Sequence, residues 1–161
     1  SGDFYCNNCN LKTLKRSPKY VGGEFNCNEN KLTTLTDGPL FVEGSYFCED
    51  NNLKELNKNL KIGGNLFFGE NLIRDFESLP KKEGRYIYYF DYNPISKLID
   101  KMWNDIEDEN VFFSNINYFN ELDIIQNNSH DIILDRLNYF LLEIFGREIK
   151  PDIDIPGYNI I

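Results

Sequence analysis

An internal repeat of about 21 residues constrains what this chain can fold into more than any other feature of the sequence. Each copy contains two apolar residues separated by one position, then an Asn or Cys, then a Leu or Ile two residues later. Five copies keep this pattern, over residues 2–11, 23–32, 44–53, 64–73 and 86–95. A period of this length indicates a solenoid, in which every copy forms one coil and packs on its neighbours.

Each copy predicts a short strand, a turn at the Asn, and an irregular return to the next strand. Alternate side chains of a strand point to opposite faces, so one set of residues is expected inside the coils. This set is Phe4 and Cys6, Phe25 and Cys27, Tyr46 and Cys48, Leu66 and Phe68, and Tyr88 and Phe90. A second inward column is expected at Asn30, Asn51, Asn71 and Asn93, with Cys9 in the first copy. These amides should bond the turns of their own and the next coil, because a buried turn needs such partners.

The pattern Gly-x-Phe-x-Cys-x-x-Asn-x-Leu of residues 23–32, with Cys9 in the Asn slot of the first copy, resembles the leucine-rich-repeat family in its short-repeat form. It is similar to repeat proteins encoded by bacteriophages and large DNA viruses, and to repeat effectors of bacteria. The resemblance covers residues 2–98 and implies an α/β solenoid of about five coils, with parallel strands whose open face binds other proteins. It further implies a viral protein that acts on a host protein in the host cytoplasm.

The charge distribution separates the repeats from the rest of the chain. The formal net charge is −9, with 17 basic and 26 acidic residues. Residues 1–98 hold 13 of each kind, and residues 99–161 hold 4 basic and 13 acidic residues. We therefore expect two domains, a solenoid at 1–98 and an acidic helical cap with an extended tail at 99–161. A cap is expected because the last coil of a solenoid exposes apolar side chains and an unpaired strand.

Local patterns near and beyond the end of the repeats predict three helices. The first is expected near 97–106, behind Ser96 as its N-cap, and the second near 116–125. The third should be capped by Ser129, include His130 in its first turn, and end at Gly146. After it, isoleucines placed around two prolines predict an extended tail.

The outward positions of the predicted strands form the first candidate site. The middle outward column consists of Tyr5, Asn26, Phe47, Phe67 and Tyr89. Carboxylates stand beside it at Glu24, Glu49 and Asp91. Exposed rows of aromatic residues are typical of interfaces, so we expect a protein partner with apolar anchors and a few Lys or Arg residues. The alternatives are that the C-terminal segment of the chain covers these rings, or that they only favour strand structure.

The acidic C-terminal region is the second candidate site. Its carboxylates include Asp105, Glu107, Asp108, Glu109, Glu121 and Asp123. Such a surface can mimic phosphates, and the protein would then be an acidic inhibitor of a nucleic-acid-binding enzyme or of a host defence system, of the anti-CRISPR type. The alternatives are a solvated surface that keeps the protein soluble, and a structural role in virion assembly.

The four cysteines and the single histidine do not assemble a recognisable catalytic or metal site. Cys6-x-x-Cys9 has half the ligands of a zinc knuckle, whereas the spacing of Cys6, Cys27 and Cys48 is that of the repeat. Packing as small, reduced hydrophobes accounts for all four thiols. His130 stands next to a Ser and an Asp in the sequence, and adjacent residues cannot form a catalytic triad. We expect a protein that is not an enzyme and that uses no metal or cofactor.

The remaining expectations concern partners and location. The net charge of −9 disfavours direct binding to nucleic acid, because phosphate contacts need a basic surface. No apolar run approaches the roughly 18 residues of a membrane helix, so we expect no membrane contact and a cytoplasmic protein. The chain opens directly in its first predicted strand, so self-association through that open edge is a further hypothesis.

Overall fold

The computed structural model describes residues 2–81, 87–103, 109–126, 130–149 and 153–161. The chain divides into two units, one formed by Ser1–Ile73 and Glu77–Asn93, the other by Arg74–Phe76 and Pro94–Ile161. The second unit therefore takes a short segment out of the fourth repeat. The boundary expected after residue 98 falls inside a helix that begins at Pro94, because proline suits the first helical position, where its fixed φ is already helical and no N–H is needed.

The first unit is a β-solenoid of about four turns, where about five coils were expected, and it is built from parallel strands of two residues each. Its described strands are β1 (Phe4–Tyr5), β2 (Tyr20–Val21), β3 (Phe25–Asn26), β4 (Phe41–Val42), β5 (Tyr46–Phe47), β6 (Lys61–Ile62), β7 (Leu66–Phe67) and β8 (Tyr88–Tyr89). The first sheet has the order β1-β3-β5-β7-β8, and the second has the order β2-β4-β6. Equivalent repeat positions pair across every step of the first sheet, so the solenoid predicted from the repeat is confirmed.

The predicted inward residues fill the core of this unit. Both members of the pair are buried in four copies, namely Phe25 and Cys27, Tyr46 and Cys48, Leu66 and Phe68, and Tyr88 and Phe90. The first copy differs, since Phe4 is 36% exposed and Cys6 is half-buried. The reason is that β1 is the end strand of its sheet, so the first coil has a described neighbour on one side only.

The second sheet was not predicted, because the return from each turn was expected to be irregular. Val21, Val42 and Ile62 lie in register in β2, β4 and β6, and all three are buried. These residues are β-branched and recur with the period of the repeat, just before a glycine-containing pair. Such residues favour strands, so this column was the available signal for a second sheet.

The four asparagines of the column are buried as predicted, whereas Cys9 in its first slot is exposed, and the amides bond the preceding coil rather than the next one. Asn71 Nδ2 donates to the carbonyls of Phe68 and Gly69 in its own turn, at 3.1 and 2.9 Å. It also donates to the carbonyl of Cys48 in the preceding coil at 2.9 Å, and Asn71 Oδ1 accepts the N–H of Leu53 there at 3.0 Å. The same two hydrogen bonds to the preceding coil, one accepted from an N–H and one donated to a carbonyl, are formed by Asn30, Asn51 and Asn93.

The expectation that these amides bond the next coil was therefore wrong, and the end of the strand pairing explains why. The carbonyl of Cys48 faces the following coil at the point where the two-residue strands stop pairing. The backbone of that following coil has already entered its turn, so an amide side chain supplies the missing donor. A buried carbonyl without a donor would destabilise the fold, and the Asn of the following coil is placed to reach back to it.

One residue in each turn of the first sheet adopts the left-handed backbone conformation without being glycine. These residues are Asn8, Glu29, Asp50, Glu70 and Tyr92, with φ between 49° and 62°. The left-handed conformation costs a non-glycine residue roughly 1–2 kcal/mol. It turns two successive carbonyls, such as those of Phe68 and Gly69, toward one amide, whose hydrogen bonds offset that cost.

The second unit combines helices with a small sheet. Its described elements are α1 (Pro94–Trp103), α2 (Glu109–Ser114), α3 (Ile116–Glu121), β9 (Asp131–Ile132), α4 (Leu134–Phe145) and β10 (Asn159–Ile160). The predicted helices near 97–106 and 116–125 are present with shifted ends, Ser96 lies inside α1 rather than capping it, and α2 was not predicted. The predicted end of α4 is confirmed at Gly146, which adopts a left-handed conformation with φ 68°.

The start of α4 was predicted wrongly. Residues 131–132 form β9, which pairs in parallel with β10 near the C-terminus, so His130 precedes a strand and does not belong to a helical turn. Ser129, the predicted N-cap, lies outside the described residues, and the helix begins five positions later at Leu134. The pairing of two strands that are distant in the sequence overrode the local signal for a helix N-cap.

An aromatic cluster forms the core of the second unit and explains why it includes residues 74–76. The ring centroid of Phe76 lies 5.7, 6.0 and 6.0 Å from those of Phe112, Phe113 and Phe119, in edge-to-face geometry. Phe140 packs against Phe112 and Phe119 at 5.9 and 5.2 Å. Earlier repeats carry a leucine where Phe76 stands. Aromatic pairs of this geometry are favourable beyond the area they bury, so they bind this segment into the second unit.

The C-terminal tail is also attached to this segment. Tyr158 donates its hydroxyl to the carbonyl of Arg74 at 2.6 Å, and Arg74 Nη1 donates to the carbonyl of Gly157 at 3.0 Å. Ile149 and Ile155 are buried, and Ile153 is partly exposed, which bears out the expected packing of the tail through its isoleucines.

We expect Asn71→Ala to lower the free energy of unfolding by roughly 2 kcal/mol or more, because the buried N–H of Leu53 would lose its acceptor and three carbonyls would each lose one of their two donors. The matched control is Asn52→Ala at an exposed position, which should change stability by less than about 0.5 kcal/mol. Urea unfolding followed by circular dichroism measures both. Equal effects of the two substitutions would contradict a structural role for the buried amides.

A second prediction concerns two tyrosines of one inward column. The hydroxyl of Tyr46 is fully buried and has no oxygen or nitrogen partner among the described residues, only the thiol of Cys27, which is a weak partner, whereas Tyr88 donates to the carbonyl of Pro80 at 2.9 Å. Tyr46→Phe should raise the free energy of unfolding by about 1 kcal/mol, because it removes an unsatisfied polar group. Tyr88→Phe should lower it by about 1 kcal/mol, because it leaves the Pro80 carbonyl unpaired. The same urea experiment decides the signs, and a loss of stability in Tyr46→Phe would overturn this assignment.

Candidate functional site

The outward column of the first sheet contains a stack of three rings, which we name the aromatic ladder and define as Phe47, Phe67 and Tyr89. The ring centroids of Phe47 and Phe67 lie 4.5 Å apart with planes at 10°, and those of Phe67 and Tyr89 lie 4.3 Å apart with planes at 1°. The pairing of β5, β7 and β8 produces this stack, because in-register parallel strands hold equivalent side chains side by side. Tyr89 is 39% exposed, and the two phenylalanines are partly exposed.

The stack decides which part of each ring a partner would meet. Within the ladder, Phe67 has both ring faces covered and Phe47 and Tyr89 each have one face covered, so the ring edges point away from the sheet. Ring edges carry partial positive charge, and an apolar side chain can also pack against them. The predicted column is thus brought together in three of its five positions, while Asn26 separates Tyr5, which is 57% exposed, from the ladder.

The column on one side of the ladder ties neighbouring coils together. Asp3 Oδ1 accepts the N–H of Glu24 at 2.8 Å, Ser45 Oγ accepts that of Asn65 at 3.1 Å, and Asn65 Oδ1 accepts that of Ile87 at 3.0 Å. Each side chain therefore bonds the equivalent residue of the following coil. This column positions the strands, and a short oxygen-bearing side chain at each of these three positions makes that contact.

Glu24 adds a carboxylate on this side of the column, close to Tyr5. The Tyr5 hydroxyl donates to Glu24 Oε2 at 3.2 Å. Desolvation, the hydrogen bond to Glu24 and the nearby charges of Asp3 and Glu24 raise the pKa of Tyr5, so its phenol stays a donor at neutral pH. The predicted residues Tyr5 and Glu24 thus lie next to each other at the first coils.

On the other side of the ladder, a second carboxylate is held in place by its neighbour. Asn28 Nδ2 donates to Glu49 Oε2 at 2.9 Å, and Asn28 Oδ1 accepts the N–H of Glu49 at 2.7 Å. Asp91 is exposed in the same column, and Gly69 separates it from Glu49. A Cβ added at Gly69 would lie 3.1 Å from the Asp91 carbonyl oxygen, a tight contact that favours glycine there.

The structure describes only part of the second candidate site. Asp105, Glu107 and Asp108 lie outside the described residues, and Glu109 begins α2 without a described side chain. Glu121 and Asp123 are exposed, but Asp123 Oδ2 forms an ion pair with Arg136 Nη1 at 2.9 Å. The ion pair neutralises part of the charge that mimicry of nucleic acid would need.

Sequence reasoning missed a second exposed aromatic pair, because it expected no second sheet. Tyr20 and Phe41 stack with centroids 5.4 Å apart and planes at 10°, and they are 52% and 40% exposed. Lys61 follows them in register in β6. An aromatic residue directly before the buried valine of each return segment was the signal for this pair.

The cysteines are free thiols in the described structure, but packing in the core does not account for all four as expected, since Cys9 is exposed and Cys6 is only half-buried. Burial raises the pKa of Cys6 to about 11, and burial raises the pKa of Cys27 and of Cys48 further. These three thiols therefore stay protonated at neutral pH, which makes them poor nucleophiles and poor metal ligands. The described residues contain no group of three or more His, Cys, Asp or Glu side chains placed to hold a metal ion.

Comparisons of the chain with family models, with curated proteins and with solved structures found no match. Within the described ranges, no helix has both the length and the apolar character needed to cross a membrane. The basis for proposing a function is therefore the geometry of the outward face of the first sheet and of the acidic region of the second unit.

We expect the four thiols to react with Ellman's reagent in an order set by burial. Cys9 is exposed and should react first. Cys6 should follow more slowly, since raising a thiol pKa from 9.0 to about 11 lowers the thiolate fraction about 100-fold. Cys27 and Cys48 should react only after unfolding in guanidinium. Cys9→Ser should remove the fast phase alone, and a fast reaction of either buried thiol in the native protein would contradict the predicted packing.

Proposed function

We propose that this protein is a non-catalytic binding module that holds another protein against the outward face of its first sheet. The aromatic ladder is the observation that supports this proposal. Its rings are only partly covered by the rest of the chain, and the residues at the two ends of the outward column, Tyr5 and Tyr89, are 57% and 39% exposed. Contiguous exposed aromatic residues are rare on isolated domains and enriched in the centres of interfaces.

The charges beside the ladder indicate the kind of partner. Glu24, Glu49 and Asp91 flank the aromatic column, and none of the three forms an ion pair with a described cation. A partner surface with apolar anchors between Lys or Arg residues would therefore complement this face. Opposite charges at the rim favour association and select against acidic partners.

The proposal extends to the role of the second unit and to the repeat family that the solenoid resembles. We infer that the second unit caps the solenoid, since β8 is the last strand of the first sheet and α1 begins within a few residues of it. An uncapped last coil would expose apolar side chains. The relation to short leucine-rich repeats is supported by the Asn column with Cys9 in its first slot, and a viral protein directed at a host protein remains the setting that this resemblance implies.

The test removes two rings of the ladder in the variant Phe47→Ala with Phe67→Ala. We expect the dissociation constant for a partner captured from host lysate, and then purified, to rise about 30-fold or more, because central aromatic residues of interfaces commonly contribute 2 kcal/mol or more. The matched control is Tyr20→Ala with Phe41→Ala, which removes the stacked pair of the second sheet and should leave binding unchanged. Isothermal titration calorimetry measures the affinity, and circular dichroism checks that each variant folds.

Charge reversal on the second unit separates this proposal from the acidic-inhibitor hypothesis. Glu121 and Glu143 both contribute to raising the pKa of Tyr118 to about 12, after the hydrogen bond with Tyr139 and desolvation, so the two carboxylates lie on one surface. Glu121→Lys with Glu143→Lys should leave binding intact. If this variant loses the partner while the ladder variant keeps it, the strand face is not the binding site.

A further inference from the structure

The outward column of the first sheet lacks one ring. In-register pairing places Tyr5, Asn26 and Phe47 in consecutive strands, so Asn26 stands where a ring would join Tyr5 to the aromatic ladder. We name this position the Asn26 gap, with Tyr5 on one side and Phe47 on the other. The stack of rings ends here, because the outward residue of β3 that pairs with Phe47 is Asn26 and not an aromatic residue.

The spacing of the strands fits one planar group in this gap. Adjacent strands lie about 4.8 Å apart, so residues two strands apart in one column are separated by about 9.6 Å. A planar group midway would lie about 4.8 Å from the position of each neighbour, close to the 4.5 and 4.3 Å between the centroids of the ladder. Asn26 leaves the space open, since its Oδ1 accepts the N–H of Asn28 at 3.0 Å and the side chain lies along its own strand.

Carboxylates stand on both sides of the gap. Glu24 precedes Asn26 by two residues and holds the Tyr5 hydroxyl, and Asp3 lies beside Glu24. Glu49 follows Phe47 by two residues and is oriented by Asn28. None of these three carboxylates forms an ion pair with a described Lys, Arg or His. The local charge therefore favours a cation over a neutral or anionic group.

We propose that the Asn26 gap recognises an arginine side chain of the bound protein. A guanidinium group is planar, stacks on aromatic rings, and donates paired hydrogen bonds to carboxylates such as Glu24 or Glu49. A lysine ammonium has the charge without the planar face, and a partner phenylalanine has the face without the charge. This inference rests on the proposed function, because the arginine belongs to the protein held on the strand face.

The closing experiment uses the whole chain and a blocked peptide, acetyl-Gly-Arg-Gly-amide, titrated by NMR. We expect saturable upfield shifts of the arginine side-chain protons from the ring currents of Tyr5 and Phe47. The matched lysine peptide should bind about fivefold more weakly or worse, and the leucine peptide should show no saturable shift. Equal shifts for the arginine and lysine peptides would overturn the proposal.

Two substitutions locate the site. Asn26→Phe fills the gap with a ring that should stack on Phe47, so the variant should keep or raise its urea midpoint and lose the arginine-peptide shifts. Glu24→Gln with Glu49→Gln should weaken binding of the arginine peptide several-fold and reduce its dependence on salt. Tyr20→Ala with Phe41→Ala should leave the peptide shifts unchanged. Persistence of the shifts in Asn26→Phe would place the peptide elsewhere and refute the site.

Failure of this inference and failure of the proposed function give different results. If the ladder variant loses the captured partner while Asn26→Phe keeps it at full affinity, the strand face binds protein but the gap does not hold an arginine. If the ladder variant keeps the partner, the proposed function fails, and the peptide titration still reports on the gap by itself. A several-fold loss of partner affinity in Asn26→Phe, together with the loss of the peptide shifts, is the expected pair of results.

Discussion

The solenoid depends on a column of buried asparagine side chains that join each coil to the one before it. At the end of each strand of the first sheet the chain enters a turn that contains a left-handed residue, and carbonyls such as those of Phe68 and Gly69 point toward the buried amide. One amide satisfies them, because it supplies two N–H donors and one acceptor from a single short side chain. Asp has no comparable donors and would bury a charge, so substitution by Asp would be costly.

The in-register stacking of the coils also determines which side chains lie next to one another on the outer face. Parallel strands in register bring equivalent positions together, so a few aromatic residues at one repeat position become a continuous stack. The same register turns a single non-aromatic residue, Asn26, into a gap of defined width. The binding face and the proposed arginine site are therefore consequences of the same regular stacking that buries the core, and they need no separate structural element.

The second unit has no internal repeat, and predictions from the sequence were less accurate there. The periodic apolar residues of α4 and the glycine after it were sufficient to predict that helix and its end. The start of α4 could not be predicted, because β9 exists only through its pairing with β10, which is distant in the chain. The same limit applies to Phe76, whose repeat position indicates the solenoid while its ring packs among phenylalanines far along the sequence. A repeat constrains only residues that obey its period.

The repeat pattern is sufficient to predict the period, the inward and outward columns, and hence a solenoid with an aromatic column on its open face. These features need only the alternation of side chains in a strand and the stacking of identical units. The tertiary structure alone decided the second sheet, the direction in which the asparagines bond, and the face-to-face stacking that turns ring edges outward. It also decided which carboxylates stand beside the Asn26 gap without a paired cation. These features could not be predicted from the repeat pattern, because they depend on contacts between residues of neighbouring coils.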